Sequence, residues 1–194
     1  MMRELVYYVA VSLDGFIAGP NGEFDSFLAE GDHMDVINER FADTIPTDFA
    51  DALHIPQSRS MFDTVLMGWN TYAVGLPFGV ESPYRHLRQI VFTRGRNATG
   101  ESLEVSRDDP AEVVRRLKQE VGASIWLCGG GALAATLADE IDRLVLKRNP
   151  VLFGTGIPLF GERPYRPERF DEVATTAFES GVVLSEYRRA PSAG

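Results

Sequence analysis

Leu5 to Val11 is an unbroken run of apolar and aromatic residues, rich in Val and Tyr, with the length and composition of a strand covered on both faces. It runs into residues 12–22 (Ser-Leu-Asp-Gly-Phe-Ile-Ala-Gly-Pro-Asn-Gly), a loop dense in Gly, Asn and Pro with one short apolar island, the composition of a segment able to move over a site. From Asp32 to about Asp43 the apolar residues Met34, Ile37 and Phe41 recur at three and four, which predicts an amphipathic helix that Pro46 stops. Thr47 is placed to cap a second short helix reaching Leu53. A strand over Asp63 to Met67 follows, with Gly68 opening a helix. Gln89 to Thr93 and Leu103 to Ser106 read as further strands, and Pro110 sits in the first turn of a helix ending near Gln119, with Val113, Val114 and Leu117 inward. A strand around Ile125 then passes through Gly129, Gly130 and Gly131 into a helix ending near Asp139. Strands and helices alternating at this spacing predict crossover units and a largely parallel sheet.

The last third changes pattern. Asp142 to Asn149 reads as a strand, Gly154 to Pro158 as a turn-rich connection, and Phe170 to Phe178 and Val182 to Arg188 flank Glu179-Ser180-Gly181, a hairpin signal. The sheet therefore gains an antiparallel C-terminal edge. The expectation is an α/β fold in one domain over residues 1–189, with a small polar tail, 190–194, that is disordered. No internal repeat and no low-complexity segment interrupts it.

Composition narrows the function classes. The chain has 194 residues, 44% of them hydrophobic, enough for one well-buried core. A formal net charge of −9 argues against wrapping a polyanion, because nucleic-acid binding rests largely on Lys and Arg neutralising phosphates. A bound phosphate would instead meet local backbone and a few arginines. The one cysteine, Cys128, excludes an intramolecular disulfide and leaves no thiolate cluster for a metal; it reads as a small buried hydrophobe. Residues 1–4 lack the apolar core of a secretion signal, and no apolar run approaches the ~20 residues that span a bilayer, so a cytoplasmic, membrane-free protein is expected. His33, His54 and His86 show no ligand spacing, and no motif for metal or covalent catalysis appears.

Three glycines between a strand and a helix form the most informative stretch. Residues without Cβ let a ligand approach the backbone, and the first turn of a helix offers unpaired N–H groups, a combination that suits a phosphate; alternatively the glycines only let strand and helix pack closely. Gly68-Trp69-Asn70-Thr71 lies at the corresponding end of another predicted strand, and if the two strands are neighbours the loops face one crevice. Thr93-Arg94-Gly95-Arg96 ends a third strand, where a hydroxyl beside guanidinium groups suits a phosphate monoester. Asp14, Asp25 and Lys147 are the ionisable candidates for a substrate half of that crevice, each also explicable as a solvated side chain.

In combination, Val9-Ala10-Val11-Ser12-Leu13-Asp14-Gly15-Phe16-Ile17-Ala18, Val65 to Tyr72, Ile90 to Arg94 and Leu127 to Gly131 resemble, in that order, the dihydrofolate reductase superfamily. Ser-Leu-Asp-Gly-x-Ile-Ala is more similar to the reductase domain of the bacterial riboflavin-biosynthesis deaminase-reductase than to folate reductases. The resemblance implies a three-layer α/β/α fold with a mixed sheet, NADPH as cofactor and a homodimer. By position, it gives Ala10 and Ile17 the nicotinamide carboxamide, Gly68, Trp69, Asn70 and Thr71 one side of the pyrophosphate, and Gly129, Gly130, Gly131 and Ala132 the other. Thr93 and Arg94 fall where the adenosine 2′-phosphate is contacted, while Trp69 replaces an arginine common there, so a preference for NADPH over NADH rests on Arg94 and Arg96. Folate reductases carry an acid after the first loop that has no close counterpart here, Asp25 being the nearest substitute. Lys147 falls at a substrate-side position, and with Asp14 it is the candidate for proton transfer. The implied activity is hydride transfer to a small heterocycle of the 5-amino-6-(5-phosphoribosylamino)uracil type. Dihydrofolate is the alternative substrate, and a non-catalytic module binding NADPH or an antifolate-like ligand is the alternative class.

Overall fold

A computed structural model describes residues 2–191. Its centre is β1 (Leu5–Val11), whose alternate side chains are buried on opposite faces: Leu5 and Tyr7 on one, Val6 and Tyr8 on the other. Burial on both faces is why the run is continuously apolar. Beside it lie β6 (Ser124–Gly129) and β7 (Arg143–Arg148), both parallel to it, and outward from β6 come β3 (Phe62–Gly68), β4 (Arg88–Phe92) and β5 (Leu103–Ser106), parallel as well. The far edge is an antiparallel hairpin of β9 (Phe170–Ala177) and β10 (Val183–Arg189), with β10 paired to β7. The eight-stranded order is thus β5-β4-β3-β6-β1-β7-β10-β9. A separate two-stranded ribbon joins β2 (Phe16–Ala18) to β8 (Ile157–Pro158).

Helices cover both faces. α4 (Pro110–Gln119) and α5 (Gly131–Thr136) bury Val113, Val114, Leu117 and Leu133 against Leu66, Ile90 and Leu127. α1 (His33–Arg40) places Ile37, with the following Phe41, against Val6, Tyr8 and Trp126 on the opposite face. The short helices α2 (Thr47–Ala52) and α3 (Trp69–Ala73) complete the set.

Several element ends depart from expectation. α1 stops at Arg40 because Phe41 leaves helical geometry (φ −118°), and α5 stops at Thr136 before a separate 3₁₀ turn over Ala138–Glu140. Thr47 does not cap α2. Pro46 holds the cap position, and the Thr47 hydroxyl lies 2.7 Å from His86 Nδ1 instead. At the C-terminus, the Ala190 N–H donates to Arg169 O (2.9 Å), so the chain is still tied to the fold at the first residue of the expected tail. The remainder of that tail, 192–194, lies outside the described residues. No helix among the described residues is long and apolar enough to cross a membrane.

Candidate functional site

Because β3 and β6 are neighbours and parallel, the chain leaves both strands at the same edge of the sheet. The two turns that follow, Gly68 into α3 and Gly130 into α5, face each other across a cleft of about 680 Å³. Gly68, Trp69, Asn70 and Thr71 line one wall; Gly130, Gly131, Ala132 and Leu133 line the other. The roof comes from β2 and the loop after it through Ile17, Ala18, Asn21 and Phe24, and Val9 and Cys128 also line the cleft. Crevices at the carboxyl ends of neighbouring parallel strands are where open α/β sheets bind ligands.

The three glycines have three different tasks. Gly129 adopts φ +135°, a region side chains avoid, and its peptide bond to Gly130 is cis. A Cβ on Gly131 would collide with the Pro158 carbonyl oxygen, so this glycine serves packing against the 157–161 segment, where Gly161 N–H donates to Gly131 O (2.8 Å). Gly130 lines the cleft with helical-cap backbone of negative φ and no backbone atom in the way of a Cβ. A Cβ there would stand 3.4 Å from Thr71 Oγ1 and 4.0 Å from Ile17 Cδ1, filling the gap between the cleft's two walls and its roof. A cradle that a single methyl would obstruct is what close approach of a large ligand to backbone requires.

The turn leading into the roof is pinned by a carboxylate. Asp14 accepts from Ser12 Oγ (2.6 Å), Gly154 N (2.7 Å) and Phe153 N (3.1 Å), tying the loop after β1 to the loop after β7. The Ser12 hydroxyl first, and then these backbone donors, hold its pKa at about 2, so it is ionised at neutral pH and has no proton to give. Ser12 is buried and itself accepts from Phe16 N (2.9 Å), which shapes the turn.

Of the predicted site residues, Ile17, Gly68, Trp69, Asn70, Thr71, Gly130, Gly131 and Ala132 are brought together on the cleft. Gly129 is buried behind it. Ala10 and Lys147 are register partners on β1 and β7, on the sheet face that carries Tyr8. Lys147 Nζ lies 4.7 Å from the Tyr8 ring centroid, and among the described residues no carboxylate pairs with it. Asp25 is exposed and does not line the cleft, nor do Thr93 and Arg94, which sit at the end of β4 beside Trp69's helix.

One feature was not foreseen. Cys128 faces the cleft rather than closed core, and burial pushes its thiol up to about 12 against the smaller pulls of the Tyr84 hydroxyl and the Lys147 ammonium. Strand alternation with Trp126, which packs on the α1 face, could have located it. Arg96, read from the sequence with Thr93 and Arg94 as a phosphate contact, has its guanidinium 5.3 Å from the Trp69 ring centroid. The parallel register Gly68↔Phe92 sets the residues after these strands side by side, but only the sheet order reveals that β3 and β4 are neighbours. No group of three or more His, Cys, Asp or Glu among the described residues could hold a metal ion.

Comparison with known proteins agrees with this geometry. The RibD C-terminal domain family matches residues 3–184. The chain is 33% identical to the uncharacterized protein YwjB of Bacillus subtilis, covering 84% of this chain and 85% of that one, and 31% identical to YyaP of the same organism, covering 95% and 94%. Among solved structures, it is similar to a putative riboflavin biosynthesis protein from Shewanella sp. PV-4 (TM-score 0.70, 22% identity, 98% of this chain and 100% of that one). A second is the Thermotoga maritima diaminohydroxyphosphoribosylaminopyrimidine deaminase/5-amino-6-(5-phosphoribosylamino)uracil reductase (0.63, 18%, 97% and 57%). A third is the Enterococcus faecalis dihydrofolate reductase complexed with NADP(H) (0.60, 18%, 98% and 100%). These likenesses establish the dihydrofolate reductase-like fold.

Proposed function

The chain belongs to the RibD C-terminal domain family, and from that premise we propose that it is an NADPH-dependent reductase of a small heterocycle of the 5-amino-6-(5-phosphoribosylamino)uracil type. The observation that carries this reading is the cradle at Gly130, open between Thr71 and Ile17 at the junction of two strand-helix turns. Backbone at Gly68, Asn70 and Thr71 on one wall, and at Gly130, Gly131 and Ala132 on the other, would hold the pyrophosphate. Ala10 and Ile17 would orient the nicotinamide carboxamide. When bound, the reduced nicotinamide supplies a hydride; the protein's own work is to position the two reactants and exclude water.

Reduction of a C=N or C=O bond also needs a proton. Asp14 is committed to its loop and ionised, so Lys147 is the donor in this reading: an ammonium without a carboxylate partner, one strand from Ala10. The same charge favours an anionic or electron-rich substrate. Folate reductases instead use an acid to support protonation of the pterin, and the only nearby candidate here, Asp25, is exposed away from the cleft. That supports the phosphorylated aminopyrimidine over dihydrofolate in this reading.

Following the absorbance of reduced nicotinamide with each acceptor tests the reading. Turnover of the pyrimidine intermediate is expected, and Lys147→Met is expected to lower kcat by about 10²-fold or more, the usual contribution of a positioned proton donor. Turnover of dihydrofolate alone would reverse the substrate order. Binding of NADPH with no turnover of any acceptor would favour a ligand-binding module.

A further inference from the structure

We infer that Arg96, laid on the indole of Trp69, is the residue by which this chain distinguishes a 2′-phosphorylated adenosine from an unphosphorylated one; the inference rests on the dinucleotide reading above. The family resemblance gives that recognition to Thr93 and Arg94 and expects an arginine where this chain has Trp69. In the structure, the missing guanidinium arrives from the neighbouring loop.

Three observations support the assignment. The first is placement: Trp69 lines the cleft, and Arg96, on the loop after the neighbouring strand β4, lies 5.3 Å from its ring centroid. The second is that Arg96 is held whereas Arg94 is not. Arg96 N–H donates to Thr93 Oγ1 (3.2 Å), and Arg107 Nη2 donates to Arg96 O (3.2 Å) and to Asn97 Oδ1 (2.5 Å), which fixes the loop from the far side. The Arg94 side chain makes no hydrogen bond or ion pair among the described residues. A guanidinium stacked on an aromatic face keeps its donor fork free while losing conformational freedom, which prepares it for a phosphate.

The third is charge. Twelve of the chain's seventeen arginines lie within ion-pair distance of a carboxylate. Among the described residues Arg94, Arg96 and Arg107 have no carboxylate within that distance, although the chain carries a net charge of −9. The carboxylates that follow Arg107 in sequence are turned elsewhere: Asp108 pairs with Arg116 (2.9 Å), and Asp109 caps α4 by accepting from Ala111 and Glu112 N–H. In so acidic a protein, three adjacent arginines left without carboxylates form a local cationic patch that an anion would complete.

The test is isothermal titration of the full chain with NADP⁺ and NAD⁺, repeated on Arg96→Gln and Arg94→Gln, with thermal melting to confirm that both variants fold. The wild type is expected to bind NADP⁺ about tenfold or more tightly than NAD⁺, the scale of a charge-assisted phosphate contact. Arg96→Gln should erase that ratio while leaving NAD⁺ affinity unchanged, and Trp69→Leu should lower it by removing the shelf. A ratio that survives Arg96→Gln, or collapses only in Arg94→Gln, would overturn the assignment and leave the cofactor reading intact. Binding of neither dinucleotide would overturn both.

Discussion

Gly130 and Gly131 are adjacent and chemically identical, yet a methyl added to each meets different surroundings. At Gly131 it strikes the Pro158 carbonyl, backbone that cannot step aside without moving the β2–β8 ribbon; at Gly130 it enters the open cleft. Gly131→Ala is therefore expected to lose about 2 kcal/mol or more of stability in urea unfolding, the range for overpacking against a fixed group. Gly130→Ala should unfold within about 0.5 kcal/mol of the wild type and lose dinucleotide affinity by tenfold or more in titration. If both substitutions acted only through stability, the cleft would not be the cofactor site.

At the scale of elements, the cleft depends on a segment that is neither strand nor helix for most of its length. Beyond β8 the chain lies over the glycine turn: Leu159 N–H donates to Gly15 O (2.9 Å), and the Tyr7 hydroxyl donates to Leu159 O (2.9 Å). Its far end is fastened by Glu168, whose carboxylate is clamped between Arg163 and Arg189, the latter at 2.6 Å. Although burial opposes it, the two guanidinium groups hold the Glu168 pKa at about 2, below its ordinary value of 4.5. A carboxyl with a depressed folded-state pKa contributes stability that is fully present above about pH 4.5 and lost as pH falls toward 2. Glu168→Gln is accordingly expected to cost about 1–2 kcal/mol at pH 7, with the deficit shrinking below pH 4.5 in melts recorded across that range. A deficit independent of pH would mean that packing, not charge, fastens the segment.

The molecule as a whole is asymmetric about its sheet. One edge is the four-residue strand β5, whereas β9 at the other is exposed on both faces along nearly its full length, with Val173 58% exposed and one row of backbone groups unpaired. Long exposed edge strands pair readily with a second copy. Sedimentation equilibrium is expected to show a homodimer joined along β9, and Val173→Lys, which places charge on that edge, should yield monomers. A monomeric wild type would remove the edge as an interface.

Much of the fold was legible in the chain because its signals are local. The continuous apolar runs at β1 and β6, the Pro110 start of α4, and the turn before β10 each depend on a few adjacent residues and their intrinsic geometry. So did the placing of Gly68, Asn70, Thr71 and Gly130 in strand-helix turns, which line one cleft in the structure. Thr47 misled because the same hydroxyl that can cap a helix can bond a distant ring, and His86 is 39 residues away. The sequence by itself determined the alternation of strands and helices and the chemistry stored in the turns, since both follow from side-chain periodicity and backbone freedom. Only the tertiary structure decided which turns face each other, which glycine opens the cleft, and which arginine lies on Trp69. Those depend on strand order and register, and these are set by burying two faces of one sheet at once.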